Sequence, residues 1–454
     1  MNDAINPLDG RYYSKTRALS PYFSESALMK YRVMVECEYL ISLSSLGETG
    51  LRKFSKEEEK LLKNLFEGFD DASYEKIKKL ESVTNHDVKA VEYFIKEELS
   101  KTSLKDIVEW VHFALTSEDT NNIAYALMLS RSLEEVLVPE IEKIIIKLEN
   151  LANTHKDSPM LARTHGQSAS PTTFGKEIRV FSERVAKQLK ELKRAEISAK
   201  LNGATGNYNA HLCAYPSVNW PEFSKNFIGS FNKDHEQKLE ANLITTQIEP
   251  HDSYVFIFDA LRRINTILID FNQDVWRYIS DEWVIQKINE KETGSSTMPH
   301  KVNPIDFENS EGNLGLANTL FEFFSRKLPI SRLQRDLSDS TVERAFGTAL
   351  GHSLLAYVML LKGLEKISVN ESKMARDLSA HPEVIAEGIQ TILRREGHSV
   401  PYEKLKELTR GKQVTMEDFA RFIDNLEVSK DLKLEMKKLT PESYTGLASL
   451  LASR

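Results

Sequence analysis

The chain has 454 residues, 41% of them hydrophobic and 28% charged, with a formal net charge of −7. That length exceeds one compact core and implies roughly two to four domains, and the negative balance offers no general basic surface for nucleic acid or an anionic membrane. Cys37 and Cys213 are the only cysteines, too few and too distant for a disulfide framework, which fits a reducing compartment.

The start, MNDAINPLDGRYYSK, has neither the basic beginning nor the apolar core of a signal peptide. No apolar run reaches the ~18 residues needed to span a bilayer, and the best candidate, 354–361, is far too short. A soluble, cytoplasmic protein is expected.

Thr84, Asn85, His86 and Asp87 form the first polar interruption. Asn85 or Asp87 is placed to cap a helix running from Val88, and Asp87 is placed to orient or charge His86. At Leu115-Thr116-Ser117-Glu118-Asp119, a hydroxyl precedes first-turn acids, which is an N-cap pattern. Hydroxyls and free amides at a helix start also bind anions, so capping and binding both stand.

Residues 118–132 read as helix and lead into 133–150, with Pro139 marking a kink or break. His165 follows in Arg163-Thr164-His165-Gly166-Gln167, a turn rather than an apolar helix face. Over 176–200, Ile178, Phe181, Val185, Leu189, Leu192 and Ala195 recur at helical spacing. The glycine-rich 203–207 lacks a preceding strand and reads as a turn; 239–246 is a marginal strand. Residues 253–280 are apolar on so many sides that this helix should be central.

Residues 294–304, GSSTMPHKVNP, can be neither helix nor strand. Pro299 and Pro304 fix φ and remove donors, and Gly294 permits unusual backbone angles. Composition leaves an ordinary connector and a chemically loaded loop equally open. Glu308 and Asn309 continue its neighbourhood. A helix is expected over 311–327, then Arg332, Arg335, Ser340, Thr341 and Arg344 cluster, and another helix covers 345–367. The arginines and hydroxyls suit a phosphate or carboxylate. With Asp336, Asp339 and Glu343 among them, a salt-bridged surface face is the alternative.

Helices of ~20 residues joined by few loops pack as a near-antiparallel bundle. The expected fold is all-α, with an N-terminal helical domain (1–114), a central long-helix bundle (115–358) and a C-terminal helical domain (359–454). Its apolar helix surface is enough to suggest that the bundle continues across a subunit interface. Walker, GxGxxG, HExxH and CxxC patterns are absent. What remains is acid–base chemistry by His, Ser, Lys and Arg, with no metal or redox cofactor.

GSSTMPHKVNP is similar to the signature GSSxMPxKxNP of the fumarase/aspartase superfamily, and TSED at 116–119 and THGQ at 164–167 resemble its other two segments in the expected order. Within that superfamily, NPLDGRY at 6–12, TNHDVKAVEY at 84–93, GNYNAH at 206–211, TTQIEPHD at 245–252, HKVNPIDFENSEGNLG at 300–315 and RDLSDSTVER at 335–344 resemble the adenylosuccinate lyases in their longer bacterial form. The resemblance covers essentially the whole chain.

It implies anti elimination of fumarate from adenylosuccinate, giving AMP, and from succinyl-aminoimidazole carboxamide ribotide, giving AICAR. Ser295 would be the general base, Lys301 its activator and the stabiliser of the aci-carboxylate, and His165 the general acid. His86 would bind phosphate or support proton transfer, and Glu308 would orient a histidine. Substrate would also be held by Arg11, Tyr12, Asn85, Asp87, Thr116, Ser117, Gln247, Val302, Asn303, Asn309, Arg335, Ser340, Thr341 and Arg344. The resemblance further implies a homotetramer whose active sites each draw on three chains, with closure of the 294–304 loop over substrate. Two residues depart from the pattern. Ser168 stands where proline is frequent, which would loosen its turn, and Glu343 would weaken phosphate binding if it pointed inward. The rivals are an argininosuccinate lyase or fumarase, and a non-catalytic helical scaffold. The scaffold predicts a broken Ser/His/Lys set, whereas Ser295, His165 and Lys301 are all present.

Overall fold

The computed structural model describes residues 3–287, 298, 301–399, 401–411 and 413–454. Short polar residues start its helices. Ser24 accepts the Ala27 N–H at 3.1 Å ahead of Glu25–Leu46, and Ser55 with Glu58 forms a reciprocal capping box ahead of Lys56–Glu67. Gly47, at φ +71°, ends the first of these in the left-handed region.

The periodic stretches become the long helices Ser117–Ser132, Val138–Thr154, Phe174–Arg194, Asp252–Ser280, Ile305–Lys327 and Phe346–Glu365. The all-α expectation holds. Pro139 does not break the chain. Leu133–Leu137 forms one π-helical turn, and Pro139 is the second residue of the next helix, where its missing N–H is not needed.

Strand is scarce but not as scarce as expected. Pro159–Thr164 and Gln167–Thr173 form an antiparallel hairpin that periodicity gave no sign of, since neither alternates apolar and polar residues. The marginal strand shrinks to Leu239–Ala241, paired in parallel with Ile197–Ala199. Val284–Gln286 pairs antiparallel with Ile367–Val369.

Packing groups the chain into two compact units, each made of three segments. The first comprises Met1–Ile141, Lys187–Thr266 and Gly312–Val358; the second comprises Glu142–Ala186, Ile267–Glu311 and Met359–Arg454. In the first, Phe258, Phe324 and Phe346 meet mutually, with centroids 5.0 to 5.3 Å apart. In the second, Phe181 meets Phe271 edge-on at 5.2 Å, and the Phe307 ring lies so close to Gly363 that a Cβ there would stand 3.0 Å from it. Among the described residues, Ser338–Glu365 is the one stretch long and apolar enough to cross a membrane. Its apolar window is 61% buried inside the protein, as in a core helix.

Candidate active site

In the first unit, the TNHD segment is a joint between two helices. Asn85, at φ +52°, closes Asp71–Thr84, and His86 starts Asp87–Leu99 by accepting the Lys89 N–H on Nδ1 at 3.2 Å. The cap is therefore His86, not Asn85 or Asp87, because Asn85 occupies the left-handed turn between the helices. A ring nitrogen that accepts a hydrogen bond carries no proton, which leaves Nε2 as the donor on an exposed imidazole.

Asp87 lies 3.8 Å from His86 Nδ1, beyond hydrogen-bond reach. Its Oδ2 instead receives Nη2 of Arg32 at 2.8 Å and Nη2 of Arg344 at 2.9 Å. Burial opposes ionisation of Asp87, but Arg32, the Val88 N–H and Arg344 outweigh it and hold the carboxyl at about 2. Arg32 is itself buried and donates through Nε to Asn121 at 2.8 Å.

Thr116 caps Ser117–Ser132, and its N–H donates to Asp119 at 2.9 Å. The two acids of TSED are buried rather than solvated. Asp119 pairs with the fully buried Lys200 at 3.0 Å and accepts the N–H groups of Asn202 and Gly203 at 3.1 and 3.2 Å. Lys200 also donates to the Gly203 carbonyl at 2.8 Å. This network ties the glycine-rich turn to the helix start. Gly206, at φ +81°, brings that turn so close to Thr245 that a Cβ would stand 2.2 Å from its carbonyl oxygen.

Two residues on from Thr245, Gln247 donates to the Ala204 carbonyl at 3.0 Å and accepts from Arg335 Nη1 at 3.3 Å. Arg335 Nη2 lies 3.1 Å from Glu118, and its Nε lies 3.6 Å from Asp339. With Ala204, Thr205 and Gln247, Arg335 lines a cavity of about 360 Å³. Ser340 and Thr341 sit in the short helix Ser338–Glu343. Glu343 is buried, and its carboxylate meets Nε2 of the equally buried His251 at 3.2 Å. Arg344 lines a second cavity of about 230 Å³ with Asn6, Asp9, Tyr13 and Ser24, while Arg11 lies over the Tyr12 ring with its guanidinium carbon 5.6 Å from the centroid.

The second unit holds the remaining residues. His165 and Gly166 are the two central residues of the hairpin turn, at φ +53° and +73°, between the paired Thr164 and Gln167. Positive φ at both positions is the pattern of a type I′ turn, and it is uncommon for a residue with a side chain. His165 is thus exposed at the tip of a rigid two-stranded support. Ser168 pairs opposite Arg163, and its hydroxyl meets His381 Nδ1 at 3.2 Å. Lys301 is exposed, and its N–H donates to Met298 at 3.1 Å; the Val302 carbonyl accepts from Gln286 at 3.0 Å. Asn303 immediately precedes Pro304, and Glu308 and Asn309 lie in the first turns of Ile305–Lys327. Glu308 accepts the Trp276 indole N–H at 3.2 Å. Ser295 and Gly294 lie outside the described residues.

Sequence reasoning passed over Arg32, Lys200 and His251, which hold the first unit's site together. Arg32 had a faint signal: with Lys30, it is a cation set among Leu28, Met29, Val33 and Val35 on a helix. Lys200 had none, because its partner lies in a distant segment of the chain.

The lyase family pattern matches residues 10–317, and the adenylosuccinate lyase C-terminal pattern matches residues 331–445. The chain is 49% identical to the adenylosuccinate lyase of Haemophilus influenzae over 99% of this chain and 98% of that one. It is 50% identical to that of Dictyostelium discoideum, over 98% and 96%. Among solved structures, a fumarate lyase from Mesorhizobium sp. BNC1 superposes with a TM-score of 0.73 at 16% identity, over 97% of this chain and 96% of that one. A 3-carboxy-cis,cis-muconate lactonizing enzyme from Pseudomonas putida gives 0.72 at 17%, over 99% and 98%. These last two establish the fold alone. Matched along its length by both the patterns and the sequences, the chain belongs to the adenylosuccinate lyase family of the fumarase/aspartase superfamily.

Proposed function

We propose that this chain cleaves adenylosuccinate to AMP and fumarate, and succinyl-aminoimidazole carboxamide ribotide to AICAR and fumarate, in purine biosynthesis. The observation that carries this reading is 49% identity to an adenylosuccinate lyase over nearly the whole of both chains, with Ser295, Lys301 and His165 all present.

The chemistry assigns the roles. Ser295 removes the proton from carbon next to a carboxylate, and the electron pair moves into that carboxylate as an aci-carboxylate. Lys301 stabilises this charge and lowers the serine's proton affinity, with Asn303, Val302 and Asn309 along the succinyl group. The pair then returns to form the double bond of fumarate as the C–N bond breaks on the opposite face. His165 protonates the leaving nitrogen. Glu308 orients one of the histidines.

The nucleotide's phosphate and sugar fall to Arg11, Tyr12, Arg335, Ser340, Thr341 and Arg344, with His86 donating through Nε2. Asn85, Thr116, Ser117 and Gln247 complete the contacts, and Asp87 contributes through its hold on Arg344. Phe256, Leu316 and Phe323 are large apolar residues exposed on long helices. They support association with further copies of this chain; the family resemblance adds a homotetramer with each active site drawn from three chains, acting in the cytoplasm. Fumarate release from adenylosuccinate, compared with argininosuccinate, tests the substrate. Turnover of the nucleotide alone is expected, and preference for argininosuccinate would overturn the reading.

A further inference from the structure

Ser117–Ser132 begins with two buried acids whose surroundings differ. Asp119 is satisfied by Lys200 and by the Asn202 and Gly203 N–H groups. Glu118 is equally buried, yet neither of its side-chain oxygens makes a hydrogen bond of good geometry. The cations that face it are Arg335, whose Nη2 stands 3.1 Å from Oε2, and the His251 imidazole when it carries a proton.

The guanidinium of Arg335 is approached on all its edges. Glu118 lies at Nη2, Gln247 at Nη1 and Asp339 near Nε. These three do not restrain it equally. Asp339 is only four residues further along the same segment, at the start of the short helix Ser338–Glu343. Gln247 sits in a loop, held by a single amide contact to Ala204. Glu118 stands on the first turn of a long helix, beside the locked Asp119, and cannot follow the arginine if it swings. The fixed point is Glu118.

We propose that Glu118 is a positioning residue: it holds the Arg335 guanidinium at the wall of the cavity beside Gln247, where it meets the phosphoryl group of the nucleotide. This rests on the reading of Arg335 as a phosphate ligand given above. Burial, and after it the nearby Glu343, push the Glu118 carboxyl well above the ordinary carboxylate range, against the pull of Arg335. A carboxyl that keeps its proton is a neutral acceptor. It aims the guanidinium without cancelling the charge that attracts an anion.

The two products separate this role from general damage, because AMP carries the phosphoryl group and fumarate does not. Binding of each is measured by calorimetry on the full-length protein, independently of turnover. Glu118→Ala is expected to weaken AMP roughly tenfold or more, as loss of a close contact to a charged group does. Fumarate should stay within about threefold. Glu118→Gln, which keeps the acceptor, should restore AMP binding. Glu118→Asp, which withdraws it by one methylene, should weaken AMP in the same direction and serves if the alanine variant does not fold. AMP binding that is unchanged or tighter in Glu118→Ala or Glu118→Asp, or equal loss of AMP and fumarate, would overturn the positioning role. A wild type that binds AMP but leaves adenylosuccinate intact would instead sink the proposed function and leave this titration valid.

Discussion

Glu343 Oε1 stands 3.2 Å from His251 Nε2, and both side chains are almost wholly buried. Burial alone would push His251 toward its neutral form, but Glu343, Glu118 and Glu249 outweigh burial and raise its pKa above the ordinary 6.5. Glu118 is raised too, by burial and then by Glu343. A group raised in the folded state stabilises it fully below the unfolded value and loses that contribution as pH climbs through the folded one. This cluster therefore makes the protein less stable as pH rises, from the ordinary 4.5 upward for Glu118 and from 6.5 upward for His251. The thermal midpoint should fall as pH rises from 4.5 through about 8, and Glu343→Gln should flatten that fall. An identical slope in wild type and variant would count against the coupling.

Asp87 holds two arginines with one oxygen, and Arg32 is only 2% exposed. Asp87→Ala leaves Arg32 with its hydrogen bond to Asn121 and should cost about 3 kcal/mol in chemical unfolding, as loss of one partner of a buried pair does. The pH dependence has the opposite sign to that of the His251 cluster. With its carboxyl held at about 2, Asp87 stabilises above the ordinary 3.8, and that contribution disappears as pH falls through about 2. A change below about 1 kcal/mol would show that Arg32 finds another partner.

Gly206 and Gly47 both have φ near +70 to +81°, but only Gly206 has a carbonyl in the way. Gly47→Ala should cost about 1 kcal/mol, the left-handed penalty alone. Gly206→Ala must also move Thr245 and should cost about 2 kcal/mol or more. Because Gln247 follows in the same loop, it should raise KM for the nucleotide more than it lowers kcat. Equal unfolding midpoints for the two variants would refute the close-approach argument.

His86 both caps a helix and presents an Nε2 donor. His86→Asn keeps an acceptor for the Lys89 N–H and should leave stability within about 0.5 kcal/mol, while His86→Ala should lose about 1 kcal/mol of cap. Both should lose activity alike, since neither supplies the imidazole donor. If the asparagine variant were as active as wild type, the role of His86 would be the cap alone.

The helices were legible because their apolar spacing is long and regular: Ile178 through Ala195 and the run over 253–280 define their own buried faces. The site's polar stretches were legible as interruptions of that pattern. What was hidden depends on partners far along the chain. Nothing near Lys200 announces Asp119, and nothing near Arg32 announces Asp87 and Asn121. The 159–173 hairpin was missed because its register rests on turn geometry at His165-Gly166 and a bulge near Met160, not on alternation. At TNHD, propensity favoured Asn85 or Asp87 as the cap, but Asn85 takes a left-handed turn and Asp87 is already the first helical residue.

The central claim is that Ser295 takes the carbon proton and His165 supplies one to the leaving nitrogen. Its most direct test follows absorbance as adenylosuccinate becomes AMP and fumarate, with wild type, Ser295→Ala and His165→Ala. Each variant should lose at least ~10²-fold in rate, the lower end of what a lost acid–base group costs. His165→Ala should also melt close to wild type, because its side chain is exposed at the hairpin tip. A folded variant that kept more than about 1% of the wild-type rate would contradict the role assigned to the residue it replaces.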